Sequence, residues 1–215
     1  MINNLFLKFE QEQYYRNSNY EIKASRAENL WQLLKQGLGK KVLLELDSVR
    51  NDVERIQFSH LGLNKSDYFL HVLRVASLAG ILNYNFPVSS VKVGFLHNIY
   101  EVTSLETLKT VNQYGSQIEK FIASLKIERD FQNDQKYLSK YYKNLRNLPE
   151  NLGIIKILDK LDNLYTLNFT ASPLVKVRYL DEVRNYVVPL CNYVAPQLLE
   201  VLNDTIDKVQ VEKIG

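Results

Sequence analysis

Three apolar, helix-like stretches of this 215-residue chain each carry polar groups that could do chemistry. The stretch "DYFLHVLRVASLAG" holds His71, and "GFLHNIYEVT" holds His97 and Asn98 with Glu101 one turn further on. The third, "LGIIKILDKLDNLYTLNF", holds Asp159, with Asn163 at i+4 and Thr166 at i+7. That spacing stacks Asp159, Asn163 and Thr166 on one helix face. A polar row on an apolar helix needs partners or water if it faces inward. Two histidines and an aspartate converging from three helices would meet that need by holding a divalent cation. Neutral imidazole and carboxylate are ordinary ligands for manganese, iron or zinc, and such an ion lowers the pKa of a bound water and polarises a phosphate oxygen. The plainer alternative is that each histidine only makes hydrogen bonds, the commoner fate of a lone helical histidine. His60 has the weaker claim of the three histidines. Spacing does not separate Asp159 from Asp162, and either fits an exposed charge on a lysine-rich helix.

The elements that must position these groups read as helices. Leu30, Trp31 and Leu34 share one face of a helix from Ser25, which "GLGKK" at 37–41 breaks. A second helix is expected over Leu46 to His60. Ser66 is a candidate cap for the helix carrying His71, whose stripe is Phe69, Val72, Leu73, Ala76, Ala79 and Leu82. Pro87 sets a boundary, and Ser89 or Ser90 can cap a helix running through His97 to about Val102. "SLETLKTVNQYG" predicts a short helix ended by Gly115, and Ser116 with Glu119 has capping-box spacing for the next. "QKYLSKYYKNLRNLP" predicts a helix stopped at Pro149. Ile154, Ile157, Leu158, Leu161 and Leu164 form the expected buried face of the helix carrying Asp159. Two more helices follow Ser172 and Pro173, kinked or separated at Pro189 and Pro196. No strand pair, repeat or linker is evident. The expectation is an all-α fold of roughly eight or more helices, with an arm or undefined first element over 1–24 and a single helical domain over 25–215.

Composition narrows the function. The chain is 46% hydrophobic and 24% charged with a net charge of +3, too mild to point to nucleic acid or an anionic membrane surface. One cysteine, Cys191, excludes an internal disulfide and a zinc–thiolate cluster, which fits a cytoplasmic location. Its surroundings hold no base or motif, so a buried inert thiol is expected. No apolar run reaches membrane-spanning length. Lys120, Lys126, Lys136, Lys140 and Lys143 fit a solvated face better than a phosphate cradle. The fourteen tyrosines fit packing or exposure better than stacking on bases.

Five segments in order resemble the HD-domain metal-dependent phosphohydrolases, and more narrowly the hydrolase domain of the RelA/SpoT-type guanosine tetraphosphate (alarmone) family. They are "YFLHVLRVA", "FLHNIYEVT", "YGSQIEKFIASLKI", "KILDKLDNLYTL" and "YVVPL", spread over roughly residues 50–200. The resemblance implies an HD-type helical bundle. It also implies that His71, His97 and Asp159 match three of four metal ligands, with manganese as the metal, which favours Asp159 over Asp162. Asn98 falls at the fourth ligand position. Glu101 matches a carboxylate that orients the attacking water, while Asn163, Thr166 and Tyr68 fall at positions lining the nucleotide pocket. The implied reaction is removal of pyrophosphate from the 3′ position of the alarmone.

The departures from the family pattern bear on activity. Asn98 replaces the ligand aspartate; its amide oxygen can coordinate an ion but brings no charge. Val102 replaces a second carboxylate, and Tyr165 stands where the family has arginine. The segment between His60 and His71 is short and lacks a basic stretch. Each lost member of such a site typically carries tenfold or more. The expectation is a phosphohydrolase-like protein with weakened or altered hydrolysis of a nucleotide phosphate ester. The rival is a catalytically inactive pseudoenzyme that binds a nucleotide or a protein, and a third reading is a helical interaction module. The expected partner is a nucleotide or other phosphate ester, with neither nucleic acid nor membrane. The sequence does not specify the oligomeric state.

Overall fold

The computed structural model describes residues 20–58, 64–83, 87–103, 111–167 and 172–209, with 20–23 and 166 described by their backbone alone. The expected arm over 1–24 lies outside these residues up to 19, as do His60 and most of "SLETLKTVNQYG". The described residues form helices and no strand, so the fold is all-α. They group into two compact units, one over Ala24–Asp130 and one from Phe131 onward. No described helix is long and apolar enough to cross a membrane.

In the first unit α1 (Tyr20–Lys35) begins before Ser25 and buries Ala27, Leu30, Trp31 and Leu34, the i, i+3, i+4, i+7 positions of one face. α2 (Lys40–Arg55) starts directly after Gly39, ahead of Leu46, and buries Leu46, Val49 and Val53. Its first turn pairs two exposed lysines, Lys40 and Lys41, with half-buried Val42 and Leu43. α3 (Lys65–Leu82) is capped by Asn64, not Ser66. The Asn64 Oδ1 accepts from the Asp67 amide at 2.8 Å, and Ser66 already lies inside the helix. α4 (Pro87–Leu96) begins at the proline, whose missing N–H costs nothing in a first turn. It does not run on to Val102. The chain turns at His97 and Asn98, and a four-residue α5 (Ile99–Val102) follows.

α3 and α4 pack with their backbones nearly touching. A Cβ on Gly94 would lie 2.6 Å from the Ala76 Cα, and one on Gly80 would lie 2.5 Å from a Val91 methyl. α6 (Ser116–Leu125) follows Gly115, whose φ of +93° is a conformation that suits glycine. Ser116 is the first helical residue, so the expected capping box does not form.

In the second unit Asp134 caps α7 (Gln135–Leu145), its Oδ1 accepting from the Lys136 and Tyr137 amides. α8 (Glu150–Leu167) is buried all round from Asn151 to Asp162, not on a single face. It packs against α10 (Val188–Val194) and α11 (Leu199–Lys208), which take up the sides that periodicity alone would leave to solvent. α9 (Pro173–Glu182) runs into a π-helical turn, Val183–Val187, before α10. The Val188 amide donates to the Val183 carbonyl one register wider than in an α-helix. The wide turn falls just before Pro189, which lacks an N–H and would crowd a normal helical carbonyl. A 3₁₀ turn, Pro196–Leu198, then leads into α11, as the second proline signal predicts.

Candidate metal centre

His71 lies mid-way along α3, where both flanks are apolar and its whole side chain is buried. His97 is the residue at which α4 stops. Close approach of α3 and α4 at Ala76 and Gly94 brings the two imidazoles together, ring centres 5.4 Å apart and edge to face. His97 Nδ1 lies 2.7 Å from the Gly94 carbonyl oxygen. A carbonyl can only accept, so Nδ1 carries the hydrogen and the neutral ring keeps its lone pair on Nε2. This is the arrangement by which a backbone carbonyl fixes the tautomer of a metal-ligating histidine.

Asp159 is buried in the middle of α8. Its Oδ2 lies 3.1 Å from Lys156 Nζ, and its Oδ1 accepts from Asn163 Nδ2 at 2.8 Å. The i+4 spacing of Asp159 and Asn163 therefore makes a hydrogen bond, and Asn163 in turn hydrogen-bonds Tyr179. Burial, and next the Asp159 charge, hold the Tyr179 phenol well above its usual range. Its hydroxyl donates to the Lys160 carbonyl at 3.3 Å.

His71, His97 and Asp159 each offer one ligand atom, these atoms all lie within 4.8 Å of one another, and all three residues are buried. The group could hold a metal ion. Two imidazoles and one carboxylate suit manganese, iron or zinc and do not choose among them.

The other predicted residues are placed differently. Asn98 is half-buried at the turn before α5, and its side chain makes no capping bond there. Glu101 lies outside the ligand group; its Oε1 accepts from the Ile127 amide at 3.2 Å and so ties α5 to the chain beyond α6. Tyr68 is buried, with its ring 4.2 Å from Phe58 and 5.9 Å from His71. Thr166 lies on α8, but its side chain is outside the described residues. Val102 and Tyr165, two of the departures noted above, are both buried, and the Tyr165 hydroxyl accepts from Thr205 Oγ1 at 3.5 Å.

The sequence reading missed a polar network around Asp159. Lys156 was available as a signal, since it stands at i−3 from the aspartate on an apolar helix. A second cluster joins Lys160 to Glu182 at 2.7 Å, and Glu182 also accepts from the Tyr142 hydroxyl at 2.6 Å. Burial, then the Glu182 charge, push the Tyr142 phenol well above its usual value. Cys191 is buried, donates to the Ala195 carbonyl, and has its thiol pushed up to about 12 by burial, as an inert cysteine should. No protein-family model matches the chain, and no curated protein sequence matches it.

Proposed function

We propose that the chain is a metal-dependent phosphohydrolase of the HD type, acting weakly or with altered specificity on a nucleotide phosphate ester. The observation that carries this reading is the buried His71, His97 and Asp159 group, whose ligand atoms lie within 4.8 Å of one another. Its support from the sequence is the ordered resemblance to the alarmone hydrolases, in which these three positions match ligands of a manganese ion. Bound there, the ion would supply Lewis acidity toward a phosphoryl oxygen. His97 would be oriented by the Gly94 carbonyl and Asp159 by Asn163. Asn98, next to His97, is the remaining candidate ligand and brings no charge. Glu101 is the candidate for orienting water, in competition with its bond to the Ile127 amide.

A second reading is a nucleotide-binding protein without turnover. The burial of Val102 at the position of a second carboxylate favours it, since an apolar side chain can neither hold water nor take a proton. One experiment separates the two. Purified protein is incubated with manganese and guanosine tetraphosphate while pyrophosphate release is followed, with His97→Ala and Asn98→Asp alongside. Turnover that His97→Ala abolishes and Asn98→Asp raises supports the hydrolase. Binding of the nucleotide without release in any of the three proteins supports the second reading.

A further inference from the structure

A cavity of 210 Å³ opens in the second unit where α9 passes into its π-helical turn. Arg178, Asp181, Glu182 and Asn185 line it from the i, i+3, i+4 and i+7 positions of one helix face, and Tyr186 follows at i+8. Gln132 and Asn133, just before the Asp134 cap of α7, and Leu138 on α7 complete the polar and apolar parts of the lining. A π-turn fits one extra residue into a helical turn, and such turns recur at functional sites. This one supplies Asn185 and Tyr186 to the cavity.

Part of the lining is fixed by the protein itself. Tyr186 donates its hydroxyl to the Gln135 carbonyl at 3.1 Å, and its ring stacks on Tyr142 with centres 5.5 Å apart. Glu182 is held by Lys160 at 2.7 Å and by the Tyr142 hydroxyl at 2.6 Å, so its charge is already answered. Arg178 and Asp181 are not held in this way. They stand three residues apart on one helix, a spacing at which opposite charges commonly pair. Among the described residues neither makes an ion pair or a side-chain hydrogen bond. The cavity therefore presents one guanidinium and one carboxylate, both exposed and both available, beside an anchored aromatic ring.

We propose that this cavity binds a free α-amino acid, with its α-carboxylate on Arg178 and its α-ammonium on Asp181. A guanidinium offers two parallel N–H donors to a carboxylate, and a carboxylate accepts charge-assisted hydrogen bonds from an ammonium. Leu138 and the Tyr186 ring supply apolar surface for the side chain of the ligand. The volume is that of about seven waters, which suits a small amino acid and is too little for a nucleotide. A neutral sugar would leave both charges unanswered, and a phosphate ester would bring negative charge toward Asp181. None of His71, His97 and Asp159 lines the cavity, so the proposal does not rest on the phosphohydrolase reading.

The test is calorimetry on metal-free protein in EDTA, with each of the twenty free L-amino acids titrated in turn. At least one is expected to bind wild type. Arg178→Gln and Asp181→Asn should each weaken that binding about tenfold or more, since each removes a charged partner. Both side chains are exposed, so both variants should melt as wild type does. Two analogues of the bound amino acid are titrated into wild type, where variant folding plays no part. The α-carboxamide lacks the anion and the N-acetyl form lacks the cation, and each should bind about tenfold more weakly or worse. Absence of binding by all twenty overturns the proposal, as does equal binding by wild type and either variant. Undiminished binding of either analogue also overturns it, by showing that the site does not read both charges.

Discussion

The rings of His71 and His97 stand 5.4 Å apart because Gly94 has no Cβ to hold α4 away from Ala76 on α3. The relationship runs from two small residues to a helix spacing, and from that spacing to a pair of donor atoms. The histidines therefore depend on positions that carry no chemistry themselves.

Gly94→Ala should lower both stability and metal affinity. The added Cβ would meet backbone at 2.6 Å, which a rotamer change cannot relieve. Overpacking of this kind costs about 1–3 kcal/mol, against about 1 kcal/mol gained from alanine's helix propensity. Gly80→Ala is the comparison, since its new Cβ meets the side chains of Val91 and Leu34, which can shift. Denaturant melts should show Gly94→Ala as the more destabilised, and a manganese titration should show weaker binding in Gly94→Ala alone.

His97→Ala removes one of three ligands and should weaken manganese binding by about a hundredfold or more, with His71→Ala and Asp159→Ala behaving alike. Asn98→Asp should act in the opposite sense by adding a charge beside His97. Metal content after dialysis, read by elemental analysis, decides the matter. Equal content in wild type and His97→Ala would mean that the buried group holds no ion.

Much of this was open to a sequence reading because contrast carries the signal. His71 and His97 each interrupt an apolar run and stand out in a chain with three histidines, whereas Asp159 was set apart from Asp162 only by the order of the family-like segments. The heptad-like face of α1 was equally plain. The break between α4 and α5 was not, since nothing at Leu96–Asn98 resembles a stop signal. Asn64 lost to Ser66 as the expected cap because both side chains can cap, and only geometry decides between them. Lys156 and Lys176 escaped notice for a different reason. A lysine in a helical pattern reads as solvent-facing, whereas α8 is buried all round and Lys176 lies on the inner face of α9.

Lys156→Met tests whether the ammonium is the ordinary counter-ion of Asp159. Both groups are almost fully buried, so removing one partner should cost about 3–5 kcal/mol in metal-free protein. Manganese should recover much of that loss by supplying positive charge to Asp159, and binding should tighten because no ammonium competes for Oδ2. Thermal melts with EDTA and with manganese give the comparison. A variant that melts like wild type in EDTA would show that Lys156 contributes no net stability, and the competition argument would fall with it.

The fold should weaken at alkaline pH for a reason traceable to Cys191. Burial raises its thiol to about 12 in the folded chain, against about 8.5 when unfolded. Between these values the unfolded chain releases a proton that the folded chain retains. The stability from this group is thus complete below about pH 8.5 and declines as the pH rises toward about 12. Tyr142 and Tyr179, both held above their usual range, add losses of the same sign from about pH 10. Melting temperatures at pH 7, 9 and 10.5 should fall in that order, and Cys191→Ala should flatten the first part of the fall. A thiol reagent should label Cys191 only as fast as the protein unfolds. Rapid labelling of native protein at pH 8 would show the thiol to be accessible and remove the basis for the alkaline slope.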